Sequence, residues 1–263
     1  MVHDKPIVSA ISRERLHKWF FRLPGRAFLN AEKKLLAGVL PHLFGQNILQ
    51  VGRLGNADLL ARSRIPHRVV VELEGDRNIP SHRSCLWAEP HALPIASNSI
   101  DVVLLPHVLE FTPHMQATIQ EMDRILVAEG HLLIFGFNAL SLVGAWCLLF
   151  GQDHVSSYIP CQGGQFPSLH RIKGWVSELG FQVISVHRYF FRPPTENQII
   201  MERLRFLDTV GPRFWPFLSG AYFLVAKKRV TTLTLIRPYR QQSRGSLIPV
   251  GLGEPSSRHS SDS

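Results

Sequence analysis

The short apolar run Asn47–Val51 ends in Gly52, and a β-branched run beginning near Arg68 reaches an acid, Glu72, twenty residues beyond that glycine. A glycine at the end of a strand lets backbone come close to a nucleotide-like ligand, and a carboxylate at the end of the next strand can accept hydrogen bonds from both ribose hydroxyls. The bland alternative for Glu72 is a solvated strand end, with Glu74 as its rival for the ribose role. A dinucleotide fingerprint would need glycines at positions 52, 54 and 57, but the chain has Leu54 and Ala57, so that motif is broken at its middle position. Glu89 stands before Pro90 as a third acid of interest, read equally as an ordinary loop residue. His107 follows an apolar run and could act as a general base near neutral pH, or simply hydrogen-bond at a strand end. His91, His114, His154 and His170 have no metal-ligand spacing.

The elements that would hold these residues alternate in period. NILQVG, RVVVELEG, SCLWAE, DVVLLP and HLLIFGF read as five strands, the fourth apolar throughout as in a strand covered on both faces. The small and polar residues between the first two strands suffice for a crossover helix, which predicts a right-handed parallel unit. Pro113 opens a helix that places Met115, Ile119, Met122, Ile125 and Leu126 on one stripe and stops at Gly130. Ser168 caps LHRIKGWVSEL, which ends at Gly180; FQVISVHRYFF and SGAYFLVAKKRV are strands six and seven. Between those strands, Thr195 and Gln198 form a capping-box pattern opening a further helix. These elements make an open, doubly wound α/β sheet, whose ligands bind beyond the carboxyl ends of the strands.

Residues 1–43 form a helical extension ahead of the sheet domain at 44–230, and the basic, Ser-rich stretch at 231–263 reads as a disordered tail. In the extension, Ile11, Leu16, Trp19 and Phe20 predict a helix over residues 9–22, begun by Ser9 or Ser12. It packs as a lid or lies on a membrane surface. Asn30 caps a second helix ending near Pro41. The apolar run at 132–151 is long enough to span a bilayer, but Asn138 and Ser141 favour a strand followed by an apolar helix over the binding face. The net charge of +9 permits anionic partners without choosing among them, and the dispersed Lys and Arg read mainly as a solvated surface. Three cysteines, Cys85, Cys147 and Cys161, suit buried thiols in a reducing compartment, and the first twenty residues lack a secretory pattern, which together predict a cytoplasmic protein.

The order of glycine turn, acidic second strand, Glu89-x-x-x-Leu93-Pro94, Asp101-Val102-Val103 and a helix resembles the class I S-adenosylmethionine-dependent methyltransferases of the type 11 group. The motifs span about residues 46–137, and GFNALSLVG with AYFLVAKKRV extends the likeness to a bacterial subgroup of methyltransferase-like proteins. The resemblance implies a Rossmann-like, seven-stranded, mostly parallel sheet in the order 3-2-1-4-5-7-6 with one antiparallel strand and helices on both faces. It implies S-adenosyl-L-methionine as cofactor, with Gly52 in the cofactor loop, Glu72 on the ribose and Glu89 near the adenine amino group. His107 falls where the family lines the methyl-donor and substrate face. Three departures stand out: Gln50 replaces the usual acid, Leu54 replaces a second glycine, and Pro90 lacks an N–H for the adenine ring.

The activity so implied is methyl transfer to an unidentified acceptor, small or apolar, reached under a helix at 140–150. The other reading is a non-catalytic, methyltransferase-like module that binds nucleic acid through its basic ends. A nicotinamide-dependent oxidoreductase is disfavoured by Leu54. Methyl transfer leaves no catalytic signature to find, because the sulfonium is already activated and the protein chiefly aligns the nucleophile and excludes water.

Overall fold

The computed structural model describes residues 5–73, 85–138, 166–192, 198–215 and 218–229. All of these fall in one compact unit, Met1–Val230. Two helices, α1 (Lys5–Phe21) and α2 (Leu23–Val39), precede strands β1 (Asn47–Val51), β2 (His67–Glu72), β3 (Cys85–Trp87) and β4 (Ile100–Pro106). Then come α3 (Met115–Ile125), β5 (Leu126–Phe137), α4 (Leu169–Glu178), β6 (Phe181–Tyr189), α5 (Gln198–Arg203), α6 (Leu207–Phe214) and β7 (Ala221–Lys228). The seven strands lie in the expected order β3-β2-β1-β4-β5-β7-β6. β1 to β5 are parallel, and β7 runs antiparallel to both of its neighbours.

Alternation along the central strands divides the core into two layers. Val102 and Leu104 of β4, Leu133 and Phe135 of β5, and Phe223 of β7 face one layer with Leu16, Phe20, Phe28 and Leu36 of α1 and α2. Val103, Leu105, Ile134 and Leu224 face the other, with Ile119 and Met122 of α3 and Ile172 and Val176 of α4. The uniform apolarity of β4 thus reflects a strand buried on both sides.

Several local expectations change. No helix forms between β1 and β2; residues 53–66 run through turns. There Asp58 accepts from the Leu60 N–H and Ser63 from the Ile65 N–H, local side-chain bonds that compete with helical ones. Leu54, Leu59, Leu60 and Ile65 still reach the core layer beneath α1 and α2. α3 ends at Ile125 rather than at Gly130, because the chain turns extended at Leu126 to pair with Ile100, and Gly130 lies within β5. α2 begins at Leu23, with Pro24 in its first turn, so Asn30 lies inside the helix instead of capping it. α1 also begins earlier, at Lys5, and buries Leu16, Trp19 and Phe20 against the domain, so these three side chains pack as in a lid and are not available to a membrane surface. Ser168 caps α4 as expected, accepting from the Arg171 N–H. Thr195, the 140–150 helix and the 231–263 tail lie outside the described residues. Among the described residues no helix is long and apolar enough to cross a membrane.

Candidate functional site

The parallel pairing of β1, β2 and β4 brings Gly52, Glu72 and His107 to one edge of the sheet, at the carboxyl ends of their strands. The Gly52 N–H donates to the Val71 carbonyl at 2.7 Å, which continues the β1–β2 ladder into the turn and fixes the loop beside Glu72. Gly52 and Gly55 have φ of 80° and 50°, the left-handed region that glycine enters without strain. The turn is therefore built on glycines three apart. Leu54, between them, is fully buried, with its side chain in the core layer beneath α1 and α2. The amide of Gln50 donates to the Gly52 carbonyl at 2.9 Å, so this residue braces the loop where the family's acid would stand.

Glu72 is only 4% exposed and accepts from the Arg53 guanidinium at 2.9 Å. Its carboxylate is thus held at the end of β2 by the residue next to Gly52. Glu89 lies two positions beyond Trp87, which pairs with Glu72 across β2 and β3. It is exposed and meets His91 at 3.2 Å. Sequence reasoning places Gln50, Gly52, Glu72, Glu89 and His107 near one ligand. The structure groups Gln50, Gly52 and Glu72, joins His107 to them through Arg13, and leaves Glu89 exposed in the segment after β3.

Arg13, in sequence one of many dispersed cations, is not solvated. It is 2% exposed, with its guanidinium donating to the Arg53 carbonyl at 3.0 Å and the His107 carbonyl at 3.4 Å. A Cβ added at Gly52 would overlap that guanidinium, so Arg13 fills the recess that the missing side chain leaves. One helical turn further along α1, His17 accepts from the Gly55 N–H at 3.1 Å. The glycine turn is therefore covered by α1. A signal was present in the sequence: Arg13, Leu16, His17 and Phe20 have the i, i+3, i+4, i+7 spacing of one helix face, and that face is apolar at Leu16 and Phe20.

His107 is fully buried, adopts a φ of 50°, and sits between two carboxylates. Its Nε2 meets Glu32 of α2 at 2.6 Å and its Nδ1 meets Glu110 at 3.2 Å. The Tyr189 hydroxyl donates to the same Glu32 oxygen at 2.7 Å, and the Phe137 N–H donates to Glu110 at 2.7 Å. Burial pushes the imidazole pKa down, but the charge of Glu32 and the hydrogen bonds to Glu110 and Glu32 outweigh it and raise the value to about 9. The upward shift favours the protonated ring, which can donate from both nitrogens to the two carboxylates, and this suits a clamp better than a general base. Burial first, and then the charge of Glu32, push the Tyr189 hydroxyl well above its ordinary value. Among the described residues, the second oxygens of Glu32 and Glu110 have no hydrogen-bond partner. Phe28, Phe137 and Phe20 surround the ring, with Phe137 stacked at 4.1 Å between centroids. Glu32 could have been suspected, because it interrupts the apolar stripe Phe28, Leu36, Leu40 at helical spacing.

Known proteins resemble the chain at the level of a family model, a relative and solved structures. Residues 66–134 match the model of a family described as a methyltransferase domain, the type 11 group. The uncharacterized protein YafS of Escherichia coli is 27% identical over 231 residues, covering 87% of each chain. The S-adenosylmethionine-dependent methyltransferase of Thermotoga maritima superposes with a TM-score of 0.59 over 84% of this chain and all of its own, at 14% identity. One from Archaeoglobus fulgidus gives a TM-score of 0.52 over 74% of this chain and 92% of its own, at 16% identity. At such identities the superpositions speak for the fold.

Proposed function

We propose that this chain, which carries a class I methyltransferase domain of the type 11 group, binds S-adenosyl-L-methionine at the Gly52–Glu72 edge and transfers its methyl group to a small or apolar acceptor. The observation that supports this reading best is Glu72: a buried acid at the carboxyl end of β2, fixed beside a positive-φ glycine turn by the Gly52–Val71 hydrogen bond. When bound, the cofactor supplies an electrophilic methyl on a sulfonium, so this chain's residues need only hold and align.

The residues fit that group, with one exchange. Glu72 would hold the ribose hydroxyls in place of Arg53, and Gly52 offers a backbone surface without a side chain. Leu54, turned into the core, does not itself obstruct the turn where a second glycine was expected. Gln50 keeps the loop in shape, and Glu89 stands past β3 on the adenine side. Arg13 now occupies the recess at Gly52. Its guanidinium is the far end of a flexible side chain, able to yield and to face a carboxylate as it does so. His107 holds the end of β4 to α2 rather than reaching a ligand itself.

The occupancy of the recess by Arg13 and of Glu72 by Arg53 favours a second reading, a methyltransferase-like module with a self-closed cradle. Calorimetry separates the two. S-adenosylmethionine titrated into the intact protein is expected to give saturable heat, with binding weakened at least about tenfold in Glu72→Ala, the loss of one charge-assisted hydrogen bond or more. No heat with the intact protein would overturn the enzyme reading and leave the module.

A further inference from the structure

The insertion between β6 and β7 is amphipathic twice over. Its inner side docks on the domain: Asp208 accepts from the Phe191 N–H at 2.9 Å and pairs with Arg192 at 2.6 Å, and a Cβ on the buried Gly211 would overlap the Phe191 ring. Its outer side mixes charged residues with large apolar ones, where the solvent face of a surface helix is ordinarily polar throughout. Ile199 is 63% exposed, Phe206 57%, Phe214 63% and Trp215 49%. Together with the partly exposed Val210, the positions 199, 206, 210 and 214 advance by 7, 4 and 4 residues. At helical or 3-10 rise these lie on roughly one third of the circumference. Arg203, Arg205 and Arg213, all exposed, lie on or beside that stripe, and outnumber the exposed Glu202 of the same segment.

We propose that this outer stripe of α5 and α6 docks on an anionic phospholipid bilayer, with Ile199, Phe206, Phe214 and Trp215 entering the headgroup–acyl boundary and the arginines meeting lipid phosphates. The chemistry selects the partner. A net charge of +9 and an arginine rim oppose a second copy of the same surface and favour an anionic one. A nucleic acid would satisfy the arginines, yet Ile199 and Val210 present no ring for bases to stack on, whereas acyl chains accept aliphatic and aromatic groups alike. Trp215, half exposed at the end of α6, has the amphipathic ring that settles at a membrane–water boundary. This surface shares no residue with the glycine turn, although β6 runs parallel to β1 and β4 and so releases the insertion at the same end of the sheet, and its docking does not depend on methyl transfer.

The test is sedimentation of the full chain with vesicles of phosphatidylcholine alone and of an equimolar mixture of phosphatidylcholine and phosphatidylglycerol. The mixture is expected to bind at least about tenfold more protein, with binding falling as salt rises. Trp215 fluorescence is expected to shift to the blue on binding, and Trp215→Phe to remove that shift. The double variant Phe206→Ser/Phe214→Ser, its fold checked by circular dichroism, is expected to lose about tenfold in binding to the mixture, since both side chains would enter the lipid. That variant also controls for attraction by basic residues elsewhere in the chain. Vesicle binding unchanged in the double variant, or no binding of the intact chain at low salt, would overturn the proposal. So would a loss confined to binding of a single-stranded RNA oligomer, or a dimer in light scattering that the double variant dissociates. The last two results would assign the stripe to RNA or to a second copy.

Discussion

Raising the pH from neutral through 9 is expected to loosen the attachment of α2 to the end of β4, because the bond there is an imidazolium between two carboxylates. His107 is raised from 6.5 to about 9 in the folded protein, its burial outweighed by Glu32 and Glu110. A group whose folded pKa is raised stabilises the fold fully below its unfolded value and loses that contribution as pH climbs through the folded value. The window is therefore 6.5 to about 9. A shift of that size corresponds to about 3 kcal/mol. The assay is urea unfolding at pH 6, 7.5, 9 and 10 for the intact protein and for His107→Gln, taking the difference between the two at each pH. The difference is expected to be largest at pH 6 and to shrink steadily to pH 10. A difference that stays flat, or grows with pH, would refute the assignment of His107 as a buried cation.

Other perturbations test the packing around the glycine turn. Gly52→Ala places a Cβ at a φ of 80° and against the Arg13 guanidinium, and is expected to cost about 1–3 kcal/mol in chemical unfolding. Adding Arg13→Ala is expected to relieve the overlap but not the backbone strain, so the pair will be non-additive. Phe28→Ala removes a buried ring that meets Trp19, Phe137, Tyr189 and Phe190, and is expected to cost about 3–5 kcal/mol. Ser168→Ala deletes the α4 cap and is expected to cost about 1 kcal/mol, measured the same way.

The sheet was legible because each central strand is a continuous apolar run, and strands buried on both faces leave that mark. The antiparallel placement of β7 rests only partly on the family likeness: two long strands without a helix-length crossover usually pair antiparallel, and the helix inserted between β6 and β7 is what weakens that reading. The β1–β2 connection misled because its residue types permit a helix, while Asp58 and Ser63 divert local hydrogen bonds and Leu54, Leu59 and Leu60 need to reach the core beneath α1 and α2. Gly52 and Glu72 stood out through spacing alone. Arg13, Arg53, Glu32 and Tyr189 did not, because their partners lie between 19 and 157 residues away in the chain, and Glu110, only three residues from His107, follows a strand end with no pattern to mark it. Only the intrusion of Arg13 and Glu32 into apolar helical stripes hinted that they turn inward. The same logic explains the insertion at 198–215, where the apolar positions are spaced as for a core yet the docked face is the other one.

The most direct test of the cofactor cradle is amide hydrogen exchange with and without S-adenosylhomocysteine, read by mass spectrometry on the intact chain. The predicted result is slowed exchange in peptides covering 51–57 and 70–73, with changed exchange in α1 around Arg13 as its side chain yields the recess at Gly52. Unchanged exchange in both strand-end peptides at saturating ligand would contradict the account.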